Sequence, residues 1–314
     1  MATLAGGVGV ARVDGAERYE IRAARRVAVV PKVPPRAAPV ADARPAPRDL
    51  PTIDYWGAPG GFPKDAAPES VTPISEDLRP LRKLAVYDAP GGRPRAFLPR
   101  SFSGLTVTVP IVERRPGWAG VLLPSLNRRV GWIPEKAPAP ERGPNLGRDR
   151  KVQPSGAADS RAAENAQPLA GGVRGGVRGK AAGWEVLPLR DQLVLHRRGH
   201  RLVWLRDGRL RGEWKVAVGA SRTPTPLGRT FVLGRTITVG GVYAGLDALV
   251  LGAVPDNREA LAPALRDGHT GIHAWSRRSA FGRSVSNGCV RLPADAQRVL
   301  LRHLGPGTPV HVID

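Results

Sequence analysis

Short runs of alternating and apolar residues, separated by turn signals, dominate the hydrophobic pattern of this chain and predict β-strands. Five such runs lie between residues 84 and 133, with Pro and Gly between them. Strand-like runs return at Trp184 and continue to the C-terminus, with Asp207-Gly208 as a strong hairpin signal. Helical patterns lie at 255–265 and 293–304, with a weaker helical pattern at 157–166. The pattern therefore predicts a mainly β fold with minor helix.

Composition divides the chain into four parts. Residues 1–78 are rich in Pro, Ala and Arg and hold too few apolar residues to bury a core, which predicts a disordered N-terminal segment. The strands within 79–136 predict a small β-barrel. Residues 137–181 return to Pro, Gly, Ala and Arg without any period, which predicts a flexible linker. The β-rich remainder, 182–314, is predicted to be a second domain.

Aromatic residues in the N-terminal half allow two interpretations each. Asp54-Tyr55-Trp56 is an isolated aromatic motif that either docks on a neighbouring region or stays exposed and loosely packed, and the pattern favours the second. Trp118 and Trp132 either line a ligand groove of the barrel or fill its core, and core packing is favoured.

The net charge of +21 favours an anionic partner, either nucleic acid or an anionic bacterial envelope. Codon bias is the alternative, because Arg, Ala, Gly and Pro dominate even the segments predicted to be disordered. The chain shows no aromatic-interleaved basic patch, no zinc-ligand spacing and no phosphate-cradling glycine loop. Neither a nucleic-acid partner nor a metal or nucleotide cofactor is therefore predicted.

Two further features concern export. No stretch approaches the roughly 20 apolar residues of a membrane span. The first eleven residues lack the basic start and apolar run of a secretory signal.

The single cysteine, Cys289, follows His273 by sixteen residues and sits in a glycine-punctuated turn. A thiol with no intramolecular disulfide partner and a histidine upstream is a candidate nucleophile. The thiolate is the attacking species, so the thiol needs a neighbour that takes its proton, and histidine suits that task at neutral pH. The alternative is that the cysteine is a small buried hydrophobe.

Three motifs carry a resemblance to a known family. They are the proline-fixed turn Thr223-Pro224-Thr225-Pro226-Leu227-Gly228, then Gly271-Ile272-His273, then Ser286-Asn287-Gly288-Cys289-Val290-Arg291-Leu292. In this order they resemble the L,D-transpeptidase catalytic domain of the YkuD type, over roughly residues 184–313. Residues 115–133 resemble bacterial SH3-like domains. The resemblance implies a C-terminal β-sandwich with minor helix, preceded by an SH3-like β-barrel and disordered linkers.

The resemblance implies catalytic roles for Cys289 as nucleophile and His273 as its base. Gly288 matches the glycine before the thiol, which lets the backbone turn sharply. Backbone N–H groups of Asn287, Gly288 and Cys289 are the expected oxyanion donors. Ser286 is expected to orient the histidine or the loop by a hydrogen bond.

Substrate contacts are expected from two more positions. Arg291 is expected either to hold a substrate carboxylate or to brace the loop, with equal weight. Tyr243 either lies near the cleft or packs in the core. The chain departs from the family pattern at Asn287, where many members have His, and at Ala274, where many have Gly. His269 is predicted to be a solvent-facing loop residue rather than a metal ligand.

The resemblance implies a peptidoglycan L,D-transpeptidase outside the cytoplasm, with stem peptides and an anionic wall surface as partners and no cofactor. Whether an amine or water accepts the acyl group stays open, and carboxypeptidase activity is the alternative. A non-catalytic wall-binding protein is a further alternative. An NlpC-type endopeptidase is disfavoured because in that class the cysteine precedes the histidine. The sequence gives no prediction of oligomeric state.

Overall fold

A computed structural model describes residues 42–102, 104–136, 183–237 and 247–314, all of which fall within one compact unit. The predicted mainly β fold is confirmed, since these residues form nineteen strands and one α-helix. The predicted linker and Tyr243 lie outside the described residues, as do residues 1–41.

The first sheet has seven antiparallel strands in the order β3-β2-β8-β7-β6-β1-β9. Strands β4 and β5, which follow β3 in the chain, form a separate two-stranded antiparallel pair. The bounds are β1 Glu76–Pro80, β2 Leu84–Tyr87, β3 Pro94–Leu98, β4 Ser101–Phe102, β5 Leu105–Thr106, β6 Val109–Arg115, β7 Trp118–Leu122, β8 Val130–Pro134 and β9 Trp184–Pro188.

Aromatic packing fills the core of this first sheet. Trp118 and Trp132 are 1% and 5% exposed, which confirms core packing and rules out a groove lined by these two rings. Tyr87 meets Trp118 edge to face at 5.1 Å, a favourable aromatic geometry. The SH3-like identity of this region stays a prediction.

The second sheet has eight strands in the order β12-β11-β10-β19-β14-β15-β16-β18, parallel only at β10–β19 and β16–β18. A short parallel pair, β13 with β17, completes this half. The strand bounds are β10 Asp191–His196, β11 Arg201–Arg206, β12 Arg209–Lys215, β13 Val218–Gly219, β14 Gly228–Ile237, β15 Asp247–Leu251, β16 Gly271–Ala274, β17 Ser284–Ser286, β18 Val290–Leu292 and β19 Pro309–Ile313.

Helix α1, Ala294–His303, begins after Pro293 as the sequence predicts. It buries Ala296 and Leu300 in the core of the second sheet. The helix predicted at 255–265 is instead two 3₁₀ turns, Arg258–Ala260 and Pro263–Leu265, with a third 3₁₀ turn at Arg278–Ala280.

Strand β9 pairs with β1 in the first sheet, although the sequence assigns it to the second domain. The register runs from Glu76 opposite Pro188 to Pro80 opposite Trp184. The Trp184 indole is fully buried and donates to the Pro134 carbonyl at 3.0 Å. The chain therefore enters the second sheet only at β10, and we place the domain boundary near residue 190.

The prediction of disorder for residues 1–78 is wrong for residues 42–78. Ile53 and Phe62 are 0% and 2% exposed and belong to the core of the first sheet. Asp65 forms a buried ion pair with Arg229 of β14. The segment has few apolar residues, but Ile53 and Phe62 act as separate anchors, and polar contacts to the two sheets supplement them.

Asp77, the second residue of β1, makes the stability of the protein depend on pH. Its carboxyl is 2% exposed, and its Oδ1 has no hydrogen-bond partner among the described residues. Burial raises the pKa of Asp77 to about 8, although the Arg79 charge opposes the shift. The unfolded chain ionises this carboxyl near pH 4 and the folded protein near pH 8, so stability is lost as the pH rises between those values.

We expect Asp77→Asn to remove this pH dependence of stability, because the amide cannot ionise. When the pH rises from 5 to 7, the free energy of unfolding of the wild-type protein should fall by about 2–3 kcal/mol more than that of Asp77→Asn. Urea unfolding at both pH values measures the difference. Parallel pH dependence in the two proteins would contradict the assignment.

Candidate active site

His273 lies on a strand, and Cys289 directly precedes the parallel strand beside it. His273 lies in β16 opposite Arg291 of β18, and Cys289 immediately precedes β18. Both residues line one cleft of about 190 Å³, together with Asn287. The structure thus brings the predicted nucleophile and base to the same opening.

The proline-fixed turn holds the cysteine loop. The buried Thr225 hydroxyl donates to the Gly288 carbonyl at 2.8 Å and accepts from the Gly219 N–H at 3.0 Å. The Thr223 hydroxyl donates to the Ser286 carbonyl at 3.0 Å. Each threonine therefore satisfies one backbone carbonyl of the loop, and the alternating prolines restrict the backbone that presents them.

Ser286 stabilises the cysteine loop from within. Its hydroxyl donates to the Cys289 carbonyl at 2.5 Å and accepts from the Gly288 N–H at 3.2 Å. Of the two roles expected for Ser286, these contacts support orientation of the loop. Gly288 adopts a φ of +107°, a backbone conformation that favours glycine, and its N–H is engaged by the serine.

The protonation state of His273 follows from one contact. Its Nδ1 lies 2.9 Å from the Ala274 carbonyl oxygen, which only accepts, so Nδ1 carries the proton and Nε2 is the basic nitrogen of the neutral ring. The ring is 2% exposed, and burial is the main cause that lowers the pKa of His273; the Arg291 charge lowers it further. The contact uses the carbonyl of Ala274, so it does not depend on the side chain there.

Helix α1 supports the strand that carries His273. The buried Gln297 amide donates to the carbonyls of Ile272 at 3.1 Å and Asp247 at 3.0 Å. One side chain thereby joins the helix to β16 and β15.

Arg291 packs against an aromatic ring. Its guanidinium lies 3.8 Å from the centroid of Trp275, a cation–π geometry, and Trp275 meets His273 edge to face at 6.0 Å. Arg291 is not among the residues that line the cleft. Of the two expected roles, this placement favours bracing over a substrate contact. Arg291 packs on Trp275, and Trp275 in turn lies against His273.

Two cleft residues were missed by the sequence analysis. His269 is not a solvent-facing loop residue: its ring is held between the carbonyls of Leu251, 2.6 Å from Nδ1, and Tyr55. Tyr55 lines the cleft rather than packing loosely, whereas its neighbour Trp56 is 58% exposed, as predicted. No sequence signal links Tyr55 to His269, which are 214 residues apart.

The described residues contain no group of three or more His, Cys, Asp or Glu residues that could hold a metal ion. No helix in this part of the chain has the length and apolar character needed to cross a membrane.

Comparisons with known proteins agree with the motifs. Residues 190–312 match the family model of YkuD, described as the L,D-transpeptidase catalytic domain. No curated protein sequence matches the chain.

Similar solved structures are L,D-transpeptidases. One from Mycobacterium smegmatis is 19% identical over 40% of this chain and 59% of its own, with a TM-score of 0.32. One from Mycobacterium tuberculosis H37Rv is 20% identical over 40% of this chain and 58% of its own, with a TM-score of 0.33. The catalytic domain of the E. faecium enzyme is 18% identical over 39% of this chain and 95% of its own, with a TM-score of 0.29.

The chain therefore spans less than two thirds of the length of the two mycobacterial structures. From the family match and its three ordered motifs, we conclude that residues 190–312 form an L,D-transpeptidase catalytic domain of the YkuD type.

Proposed function

We propose that the chain is a cysteine-dependent L,D-transpeptidase that acts on peptidoglycan stem peptides. One observation carries the proposal: Cys289 and His273 open into the same cleft from neighbouring strand ends. The hydrogen bond from His273 Nδ1 to the Ala274 carbonyl supports it, because it keeps Nε2 available as a base.

The first half-reaction is acylation of the thiol. His273 Nε2 takes the proton of Cys289, and the thiolate attacks the carbonyl carbon between the third stem residue, a diamino acid, and D-Ala. A C–S bond forms while the carbonyl oxygen becomes an oxyanion. As the intermediate collapses, the C–N bond breaks, the His273 imidazolium protonates the departing D-Ala amine, and a thioester remains.

The second half-reaction transfers the acyl group. The amine of another stem peptide attacks the thioester carbonyl, His273 takes the proton of that amine, and the thiolate leaves. The product is a cross-link between two stems. Water in place of the amine gives a trimmed tripeptide, which is carboxypeptidase activity.

The loop around the thiol supplies the remaining roles. We assign the oxyanion contacts to the N–H groups of Asn287 and Cys289, because that of Gly288 donates to Ser286. Arg291 braces His273 through Trp275. Tyr243 remains a proposed substrate neighbour.

The proposed substrate places the protein outside the cytoplasm, where its net charge of +21 favours an anionic wall. The region of residues 79–136 is the proposed SH3-like wall-binding unit.

The test combines two measurements on purified protein. A carbapenem is expected to add covalently to the wild-type chain, as seen by intact-protein mass, and purified tetrapeptide muropeptides should give dimers. Tripeptide without dimer would assign the carboxypeptidase reaction instead.

Cys289→Ala is the matched control and should give neither adduct nor product. A wild-type chain that forms no adduct and leaves the muropeptides unchanged would overturn the enzymatic proposal. The non-catalytic wall-binding alternative would then be favoured.

A further inference from the structure

One wall of the cleft comes from outside the family domain. Tyr55 lines the cleft with His273 and Cys289, although it precedes the catalytic domain by more than a hundred residues. A residue that lines the cleft of Cys289 from a separate part of the chain can contact a bound substrate without belonging to the catalytic motifs.

The turn that carries Tyr55 is held by its own hydrogen bonds. Asp54 Oδ1 accepts from the N–H groups of Trp56 and Gly57, each at 2.8 Å, and the Asp54 N–H donates to the Gly57 carbonyl at 3.0 Å. These contacts close a tight Asx-type turn and fix the direction in which the Tyr55 side chain leaves the backbone.

Contacts from both sheets position this turn. The Ser125 hydroxyl, between β7 and β8, donates to the Asp54 carbonyl at 2.7 Å, and the Ser125 N–H donates to the Gly252 carbonyl at 3.0 Å. From the catalytic side, His269 contacts the Tyr55 carbonyl through Nε2, and the two rings lie 4.4 Å apart. The turn that carries Tyr55 is therefore held in place by hydrogen bonds from both sheets.

The cleft beside Tyr55 has the chemistry of a peptide subsite. Apolar residues line much of it, among them Val250, Leu261 and Leu265. Thr270 also lines it, and its hydroxyl is buried with no hydrogen-bond partner among the described residues, at 2% exposure of the residue. A mostly apolar cleft with a few directed polar groups is typical of ligand sites.

The hydroxyl of Tyr55 stays protonated over the working range. Burial, the main cause, raises the pKa of Tyr55, and the nearby Cys289 adds to this shift. The side chain therefore presents a neutral phenol ring to the cleft that also holds Cys289.

We propose that Tyr55 is a specificity-determining residue that contacts the acyl-donor peptide. Its ring packs on the donor backbone, and its hydroxyl donates to a peptide carbonyl, with Thr270 as a second hydrogen-bonding group. Ser125, which does not line the cleft, acts on the substrate only through the position of Tyr55. The inference rests on the proposed function.

Cys289 is the only cysteine, so the rate of thiol labelling measures how strongly Tyr55 restricts access to the cleft. In Tyr55→Ala, a bulky maleimide should label Cys289 faster by about tenfold, the effect of relieving a steric clash of about 1.4 kcal/mol. Iodoacetamide, which is small, should label both proteins at nearly the same rate. Leu210→Ala, at an exposed position of β12 outside the cleft, is the control and should behave as wild type with both reagents.

Acylation by a stem tetrapeptide tests the substrate contact. Tyr55→Phe keeps the ring and should lose about threefold to tenfold in kcat/KM, mainly through a higher KM, as expected for one lost hydrogen bond. Tyr55→Ala should lose more, and Leu210→Ala should lose nothing measurable. The comparison with Tyr55→Phe separates the contact from any loss of folding.

The outcomes distinguish the inference from the proposed function. The inference alone would be overturned if the wild-type enzyme were active and Tyr55→Ala had the same KM and the same rate of maleimide labelling as the wild type. A wild-type chain that forms no thioester with the tetrapeptide would overturn both.

Discussion

Replacing His273 with Gln is expected to slow acylation of Cys289 by about 10²–10⁴-fold, the usual range for a lost general base. Gln keeps a polar side chain at the position but cannot take the proton of the thiol. The rate of adduct formation with a carbapenem, followed by intact-protein mass, measures the loss.

The pH dependence distinguishes loss of the base from general damage. Because the pKa of His273 is lowered, the wild-type rate should hold through neutral pH and fall only below about 6.5, the ordinary histidine value. In His273→Gln the remaining rate should instead climb with pH toward the ordinary thiol pKa of about 8.5.

His303→Gln is the matched control. This exposed ring at the end of α1 stacks on Trp204 at 5.1 Å and takes no part in the cleft. Its variant should keep the wild-type rate and profile. A His273→Gln protein with the wild-type pH profile would remove His273 from the mechanism.

Replacing Asp65 with Asn is expected to lower the free energy of unfolding by about 3–5 kcal/mol. The Asp65 side chain is fully buried and accepts from Arg229 in a two-pronged contact, with Nε at 2.8 Å from Oδ2. It also accepts from the Ala67 N–H at 3.0 Å. The amide would leave the guanidinium, only 9% exposed, without a counter-charge. Urea unfolding at pH 7 measures the loss.

The exposed pair of Arg190 with Asp207 provides the comparison. It has the same two-pronged geometry, but its side chains are 67% and 46% exposed, so water screens it. Asp207→Asn should shift the unfolding midpoint far less than Asp65→Asn. A double variant, Asp65→Leu with Arg229→Met, should recover much of the lost stability because no charge stays buried. Equal shifts for the two single variants would contradict the role assigned to burial.

The features that could be predicted from the sequence are local ones. Strand runs, the α1 helix signal and the ordered motifs around His273 and Cys289 each lie within a few residues. Periodicity and turn chemistry act at that range. The family assignment follows from those motifs.

The features that could not be predicted depend on long-range contacts. Tyr55 reaches the cleft only because Ser125 and His269, both distant in sequence, hold its backbone. The residue pattern of β9 predicts a strand but not its partner. Its pairing with β1 joins segments about a hundred residues apart in sequence. Residues 42–78 have too few apolar positions to predict order, since isolated anchors such as Ile53 produce no periodic pattern.

The shared core of the two halves limits how this architecture evolves. Phe231, Leu233 and Val250 belong to the second sheet but are buried among residues of the first. A gene rearrangement that moved the catalytic domain to another N-terminal neighbour would leave these three side chains in water and remove Tyr55 from the cleft. The two halves therefore depend on each other for burial of this core, and we expect substitutions on either side of their boundary to be coupled in their effects on stability.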